Sequence, residues 1–217
     1  MRPAGDITSP ASAWNVANAL TVLRLVLVPV FLWLLFHEDG ESTGWRFAAW
    51  AAFAVASVTD RVDGELARRR GLVTDFGKIA DPIADKALIG AALVGLSALG
   101  DLAWWVTVVI LVREVGVTGL RFWVIRHGVL PASRGGKVKT LLQALAIGLL
   151  VLPLSGALHV AAEVCMYVAV VVTVVTGADY VMRALRLRRT SERAAMQRAR
   201  LAARRSGASG AGRPGAP

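Results

Sequence analysis

Six apolar stretches, near residues 19–36, 45–60, 82–100, 102–125, 140–156 and 158–182, dominate the chain, and the loops between them alternate between ones rich in Lys and Arg and ones with neither. Several approach the roughly 20 residues a helix needs to cross a hydrocarbon core about 30 Å thick. The second is short, and its helix is expected to continue through Asp60 into the polar segment that follows. The first does not read as a cleavable leader. Almost no positive charge precedes it, Arg24 lies inside it, and HEDGES follows without a small-residue cleavage site.

Composition narrows the class. Hydrophobic residues make up 55% and charged residues 18% of the 217, against about a quarter charged in soluble domains. A soluble globule and a disordered chain are both disfavoured. The single cysteine, Cys165, excludes an internal disulfide framework and a Cys-based zinc site. The net charge of +10 could suit nucleic acid, but in so apolar a chain the membrane surface is the better partner, and no nucleic-acid partner is expected.

The placement of Lys and Arg sets the topology. Residues 61–78 carry Arg61, Arg68, Arg69, Arg70 and Lys78, residues 126–139 carry Arg126, Arg134, Lys137 and Lys139, and ten arginines follow from Arg183 onward. The alternate loops, at 37–44, Gly100–Asp101 and 154–159, carry none. The positive-inside rule puts the basic loops and both termini in the cytoplasm, with Trp45, Trp50, Trp104 and Trp105 at the outer ends as an interfacial belt. The expected fold is thus all-α: an integral, multi-pass protein of the plasma membrane with six transmembrane helices. Residues 1–13 read as a mobile lead-in, 14–182 as the six-helix domain and 183–217 as a basic, partly disordered cytoplasmic tail. Within that tail 183–205 has helical character, and the composition of 206–217 predicts disorder. The arginines there could bind anionic headgroups, although a positive flank is expected in any case.

Ionisable groups are costly in membrane helices and usually mark function. Asp60 and Asp63 lie near the end of the second helix, Asp81 and Asp85 near the start of the third. Each pair, at i,i+3 or i,i+4, shares a helix face. Asp60 and Asp85 are each fifteen residues from their outer helix ends, roughly 22 Å at 1.5 Å per residue, so they can converge in the inner leaflet. Four such carboxylates would repel one another unless hard divalent cations relieve them. An all-oxygen set favours Mg²⁺ or Mn²⁺ over zinc, and two ions in one cluster suit phosphoryl chemistry. Between the pairs, Gly64 and Ala67 keep one face open, Arg68 offers a guanidinium fork to a phosphate, and Thr74 offers a hydroxyl. The structural alternatives are close helix packing for the small residues and a topological charge for Arg68.

Together, DRVDGELARRRGLVTDFGKIADPIAD reads D-x2-D-G-x2-A-R-x8-G-x3-D-x3-D, with all specified positions matched. It resembles the signature of the CDP-alcohol phosphotransferase family. The resemblance implies that Asp60, Asp63, Asp81 and Asp85 hold the metals, that Asp85 is the catalytic base, and that Gly64, Arg68 and Thr74 hold the CDP moiety. It also implies a homodimer of six-helix subunits, each with a polar cavity open to the cytoplasm and to lipid. Asn18 is either a contact for the cytidine or the N-cap of the first helix. NALTVLRLVLVPVF at 18–31, LVREVGVTGLR at 111–121 and GKVKTLLQ at 136–143 resemble the branch whose members move a phosphatidyl group from CDP-diacylglycerol to glycerol 3-phosphate.

An anionic acceptor agrees with the remaining charges. Arg113 and Arg121 lie in the fourth helix, where a cation needs a reason, and Lys137 and Lys139 open the fifth. The four are expected to bind the acceptor phosphate. The alternatives are that Arg113 pairs with Glu114 or another acid, that Lys137 and Lys139 serve topology alone, and that Lys86 neutralises the acidic cluster. Two rival functions stand beside this reading. One is the same chemistry on phosphatidylglycerol, inositol phosphate or serine. The other is cation transport, which the acids' position toward one face disfavours, since transporter sites favour the midplane.

Overall fold

The computed structural model describes residues 16–70, 75–124 and 134–210. Among them are six α-helices and no strand: α1 (Val16–Phe36), α2 (Thr43–Arg70), α3 (Asp75–Ala98), α4 (Trp104–Val124), α5 (Arg134–Val151) and α6 (Ala157–Gly210). The side chains within 16–18, 60–70, 75–79 and 188–210, and those of Asp81, Pro82, Arg121, Phe122, Val124, Arg134, Gly135 and Lys137, lie outside the described residues. The helices follow the apolar stretches. As expected, α2 continues past Asp60 to Arg70. Helix α6 runs 54 residues, roughly 80 Å, and takes in 206–210, the first part of the segment whose composition predicts disorder. Runs of Ala, Arg and Leu upstream favour helix strongly enough to carry it there. Asn18 falls inside the first turn of α1, so it is not that helix's N-cap.

The packing order is compact. Helix α1 lies against α2 and α3, α5 against α6 and α2, and α4 against α6 and α3. Phe31, Leu35, Phe53, Leu93, Leu96, Ile110, Ile147 and Met166 form one continuous core, in which the Phe31 and Phe53 rings meet at 5.8 Å. Ala49, Ala56, Ala92, Ala146, Ala162 and Ala169 are fully buried, and such small residues let membrane helices approach closely. At Gly95 a Cβ would sit 2.8 Å from Leu35 Cδ2, so the Leu35 side chain packs into the space that glycine leaves between α1 and α3. Outward, Val26, Val112, Val115, Leu158, Val171 and Val175 are each more than half exposed. An apolar outer surface this extensive is the mark of a membrane-associated protein. Among the described residues, Ala19–Gly40 and Ala157–Leu187 are long and apolar enough to cross a membrane by themselves, and Val138–Val151 is a shorter apolar helix. Helices α2, α3 and α4 contain the ionisable residues of the candidate site, which lowers their mean hydropathy.

One end of the bundle is drawn shut. A 3₁₀ turn at His37–Gly40 follows α1, and Gly40 has φ +75, where a side chain is strained. The rings of Trp33, His37 and Trp45 gather there, with centroids 4.2–5.6 Å apart. Gly100, at φ +85, closes α3: its N–H bonds to the Ser97 carbonyl and that of Asp101 to the Leu96 carbonyl, a Schellman pattern. Nearby, the buried Ser97 and Thr107 hydroxyls hydrogen-bond at 2.7 Å and link α3 to α4.

Arg46 ties these turns together. Its Nε donates to the Gly40 carbonyl at 2.8 Å, Nη1 lies 3.5 Å from the Leu150 carbonyl, and Nη2 pairs with Asp101. The three connections without Lys or Arg therefore meet at one end, around one half-buried guanidinium. Hydrogen bonds to charged groups contribute about 1.5–3 kcal/mol each. Arg46→Ala is expected to lower stability by at least about 1.5 kcal/mol, read as an earlier thermal transition in detergent. An unchanged transition would remove the clamp from the fold's stability.

Candidate active site

The other end is polar inside. Four helices contribute to one cluster: Asp85 and Lys86 from α3, Arg113 and Glu114 from α4, Lys139 and Gln143 from α5, and Thr176 and Gly177 from α6. Glu114 is the hub. Its Oε1 accepts from Lys139 Nζ and from Arg113 Nη1, the latter at 3.0 Å, and its Oε2 lies 3.4 Å from Lys86 Nζ. Lys139 is 5% exposed, and a buried ammonium needs such a partner. Arg113 is held from the far side as well. Its Nη2 donates to Thr176 Oγ1 at 3.1 Å, and its stem packs on Gly177, where a Cβ would meet Arg113 Cγ at 3.0 Å.

Beside this cluster lies a cavity of about 140 Å³ lined by Asp85, Lys86, Glu114, Lys139, Thr140 and Gln143, together with apolar residues of α3 and α4. At roughly 30 Å³ per water, that volume suits a small polar molecule. Among the described residues the ionisable groups at its wall are Lys86, Lys139, Asp85 and Glu114, and with Arg113 behind them these five carry one excess positive charge. An anionic ligand gains from that balance, and the carboxylates can accept from its hydroxyls.

The expected site residues fall as follows. Asp60, Asp63, Gly64 and Arg68 lie in the closing half of α2, and Asp81 and Asp85 in the opening half of α3. The two helices pack together and are separated by only four residues, so the backbone brings both aspartate pairs to one end of the bundle. The side chains of Asn18, Asp60, Asp63, Arg68, Asp81, Arg121 and Lys137, with Gly64, lie outside the described residues, as does Thr74 altogether. Among the described residues no group of three His, Cys, Asp or Glu forms a metal site, because only one of the four aspartates is in that set. Arg113 and Lys139 come together around Glu114. The pairing of Arg113 with Glu114, held open above, is present, and Lys86 joins the same carboxylate. Gln143 and Thr176 were not singled out by sequence. Gln143 had a weak signal as an amide following Lys139 by one turn, whereas Thr176 had none.

This all-helical, apolar-surfaced bundle with an acidic end and a cation cluster fits one class. Residues 14–175 match the CDP-alcohol phosphatidyltransferase family, and the chain belongs to it. It is a transferase. Among its relatives, a probable phosphatidylglycerophosphate synthase of Mycobacterium tuberculosis is 63% identical, over 84% of this chain and 87% of the relative. A CDP-diacylglycerol–glycerol-3-phosphate 3-phosphatidyltransferase of Bacillus subtilis is 38% identical, over 77% of this chain and 93% of its own. One of the same description from Rickettsia felis is 37% identical, over 76% and 93%.

The hub carries its own test. Removing one partner of a buried ion cluster costs about 3–5 kcal/mol because the other charges stay behind unpaired. Glu114→Ala is expected to cost that much, whereas Lys86→Ala, with a side chain 37% exposed, should cost under about 1 kcal/mol. Equal thermal shifts for the two variants would contradict the hub.

Proposed function

We propose that the chain transfers the phosphatidyl group of CDP-diacylglycerol to sn-glycerol 3-phosphate, giving phosphatidylglycerophosphate and CMP in phospholipid biosynthesis. The observation that carries this reading is the cavity in which Asp85, Lys86 and Lys139 face the same small volume. The names of the relatives point to the same donor and acceptor.

In this reading the domain spans 14–182 as six transmembrane helices, with both termini and the cavity on the cytoplasmic side of the plasma membrane and 183–217 as its basic tail. The protein works as a homodimer. Asp60, Asp63, Asp81 and Asp85 form an all-oxygen donor set on two adjacent helix ends, which fits two hard divalent ions, Mg²⁺ or Mn²⁺. Such ions, when bound, neutralise the pyrophosphate and favour displacement at phosphorus. Gly64 admits the nucleotide close to the backbone, while Arg68, Thr74 and Asn18 hold the CDP moiety. Arg113, Arg121, Lys137 and Lys139 hold the acceptor's phosphate, with Glu114 fixing the first and last of these.

The chemistry is one substitution. The acceptor hydroxyl gives its proton to Asp85 as its oxygen bonds to the β-phosphorus. The bond from that phosphorus to the oxygen of the α-phosphate breaks, and CMP departs with the bond's electron pair. Asp85 must lie within hydrogen-bond reach of the hydroxyl, and its place on the cavity wall supports that role. Cavity volume favours a small phosphorylated acceptor over phosphatidylglycerol, which would need room for a second lipid.

The test supplies purified protein with CDP-diacylglycerol, Mg²⁺ and each acceptor in turn, and measures CMP. Release is expected with glycerol 3-phosphate, and Asp85→Asn should abolish it while the protein still unfolds at its usual temperature. Release only with phosphatidylglycerol, inositol phosphate or serine would replace the acceptor, and turnover by Asp85→Asn would remove the base.

A further inference from the structure

Gln143 is an anomaly in the polar end. Its side chain is 1% exposed, yet its Nε2 is buried with no hydrogen-bond partner. An amide brings two N–H donors, and leaving them unmatched in the interior costs stability. A methionine would fill the same space without that cost. Buried polar atoms without partners call for an explanation, and here the setting supplies one. Gln143 lies one turn beyond Lys139 on α5 and lines the same cavity as Asp85, Glu114 and Lys139. A ligand there meets two carboxylates that accept from hydroxyls and an ammonium that attracts anionic oxygen. The neutral amide adds a donor that can bond to either kind of oxygen.

We propose that Gln143 contacts the acceptor directly, its amide donating a hydrogen bond to an oxygen of the small phosphorylated alcohol held beside Asp85. This rests on the acceptor chemistry proposed above. The bond forms only when the acceptor is present, so the amide's cost is carried by the empty protein and relieved on binding. Gln143 therefore selects for the acceptor and makes no contribution to holding CDP-diacylglycerol.

Two effects of opposite sign follow, and a purely structural glutamine would not give both. In Gln143→Met the KM for glycerol 3-phosphate should rise about tenfold, as expected for one lost hydrogen bond. The KM for CDP-diacylglycerol should stay within about twofold of its original value, and the thermal transition should hold or rise. Gln143→Glu keeps the shape, replaces the donor by a carboxylate and should raise the acceptor KM further. The inference is overturned by an unchanged acceptor KM in Gln143→Met, by both KM values rising together, or by both variants unfolding well below the parent. Should the parent protein use only a different acceptor, glycerol 3-phosphate is wrong, and the same comparison on that acceptor decides Gln143. Absence of turnover with every acceptor would overturn both readings.

Discussion

A carboxylate inside an apolar bundle cannot stand alone, and Glu114 is met by Lys86, Arg113 and Lys139 from three helices. The desolvation of these groups is offset only while they stay together, so the relative positions of α3, α4 and α5 at this end are bound to one side chain. Helix α6 is drawn in through Thr176 and through Gly177, whose missing Cβ leaves room for the Arg113 stem. The cavity beside Asp85 is a consequence: its polar walls come from groups that the ion cluster has already fixed.

The two ends of the bundle use charge differently. Around Arg46, one cation answers the Asp101 carboxylate and the Gly40 carbonyl and ties short turns together, leaving nothing for a ligand. Among the described residues around Glu114, three cations stand against Glu114 and Asp85, which leaves attraction for an anion. Apolar contacts between the ends, such as Leu35 against Gly95 and Phe31 against Phe53, keep the two regions apart. An outer surface rich in valine adapts the whole to lipid.

Much of this is legible in the sequence, for identifiable reasons. Helices α1 to α6 announce themselves because long apolar runs have few other folds, and the continuation of α2 past Asp60 follows from a polar segment with no Pro to stop it. The aspartate spacing is local, so it can be read directly. The hub could not be read. Lys86 and Lys139 lie 28 and 25 residues from Glu114, and only tertiary packing decides that all three meet. Arg113 and Glu114, as neighbours, gave the pair but not its centrality. Gln143 follows Lys139 by one turn on the same helix face, a signal too weak to interpret until its burial is known. Composition alone does not show how far α6 extends: its helix runs through an arginine-rich stretch to Gly210.

The central claim is that the carboxylates of α2 and α3 share divalent ions at the end where the cations gather. Electron paramagnetic resonance of bound Mn²⁺ in the purified protein addresses it most directly. Two saturable ions per chain, magnetically coupled and lost in part on replacing Asp63 or Asp81 with Asn, are expected if the four side chains form one site. Failure to saturate, or binding indifferent to both replacements, would contradict it.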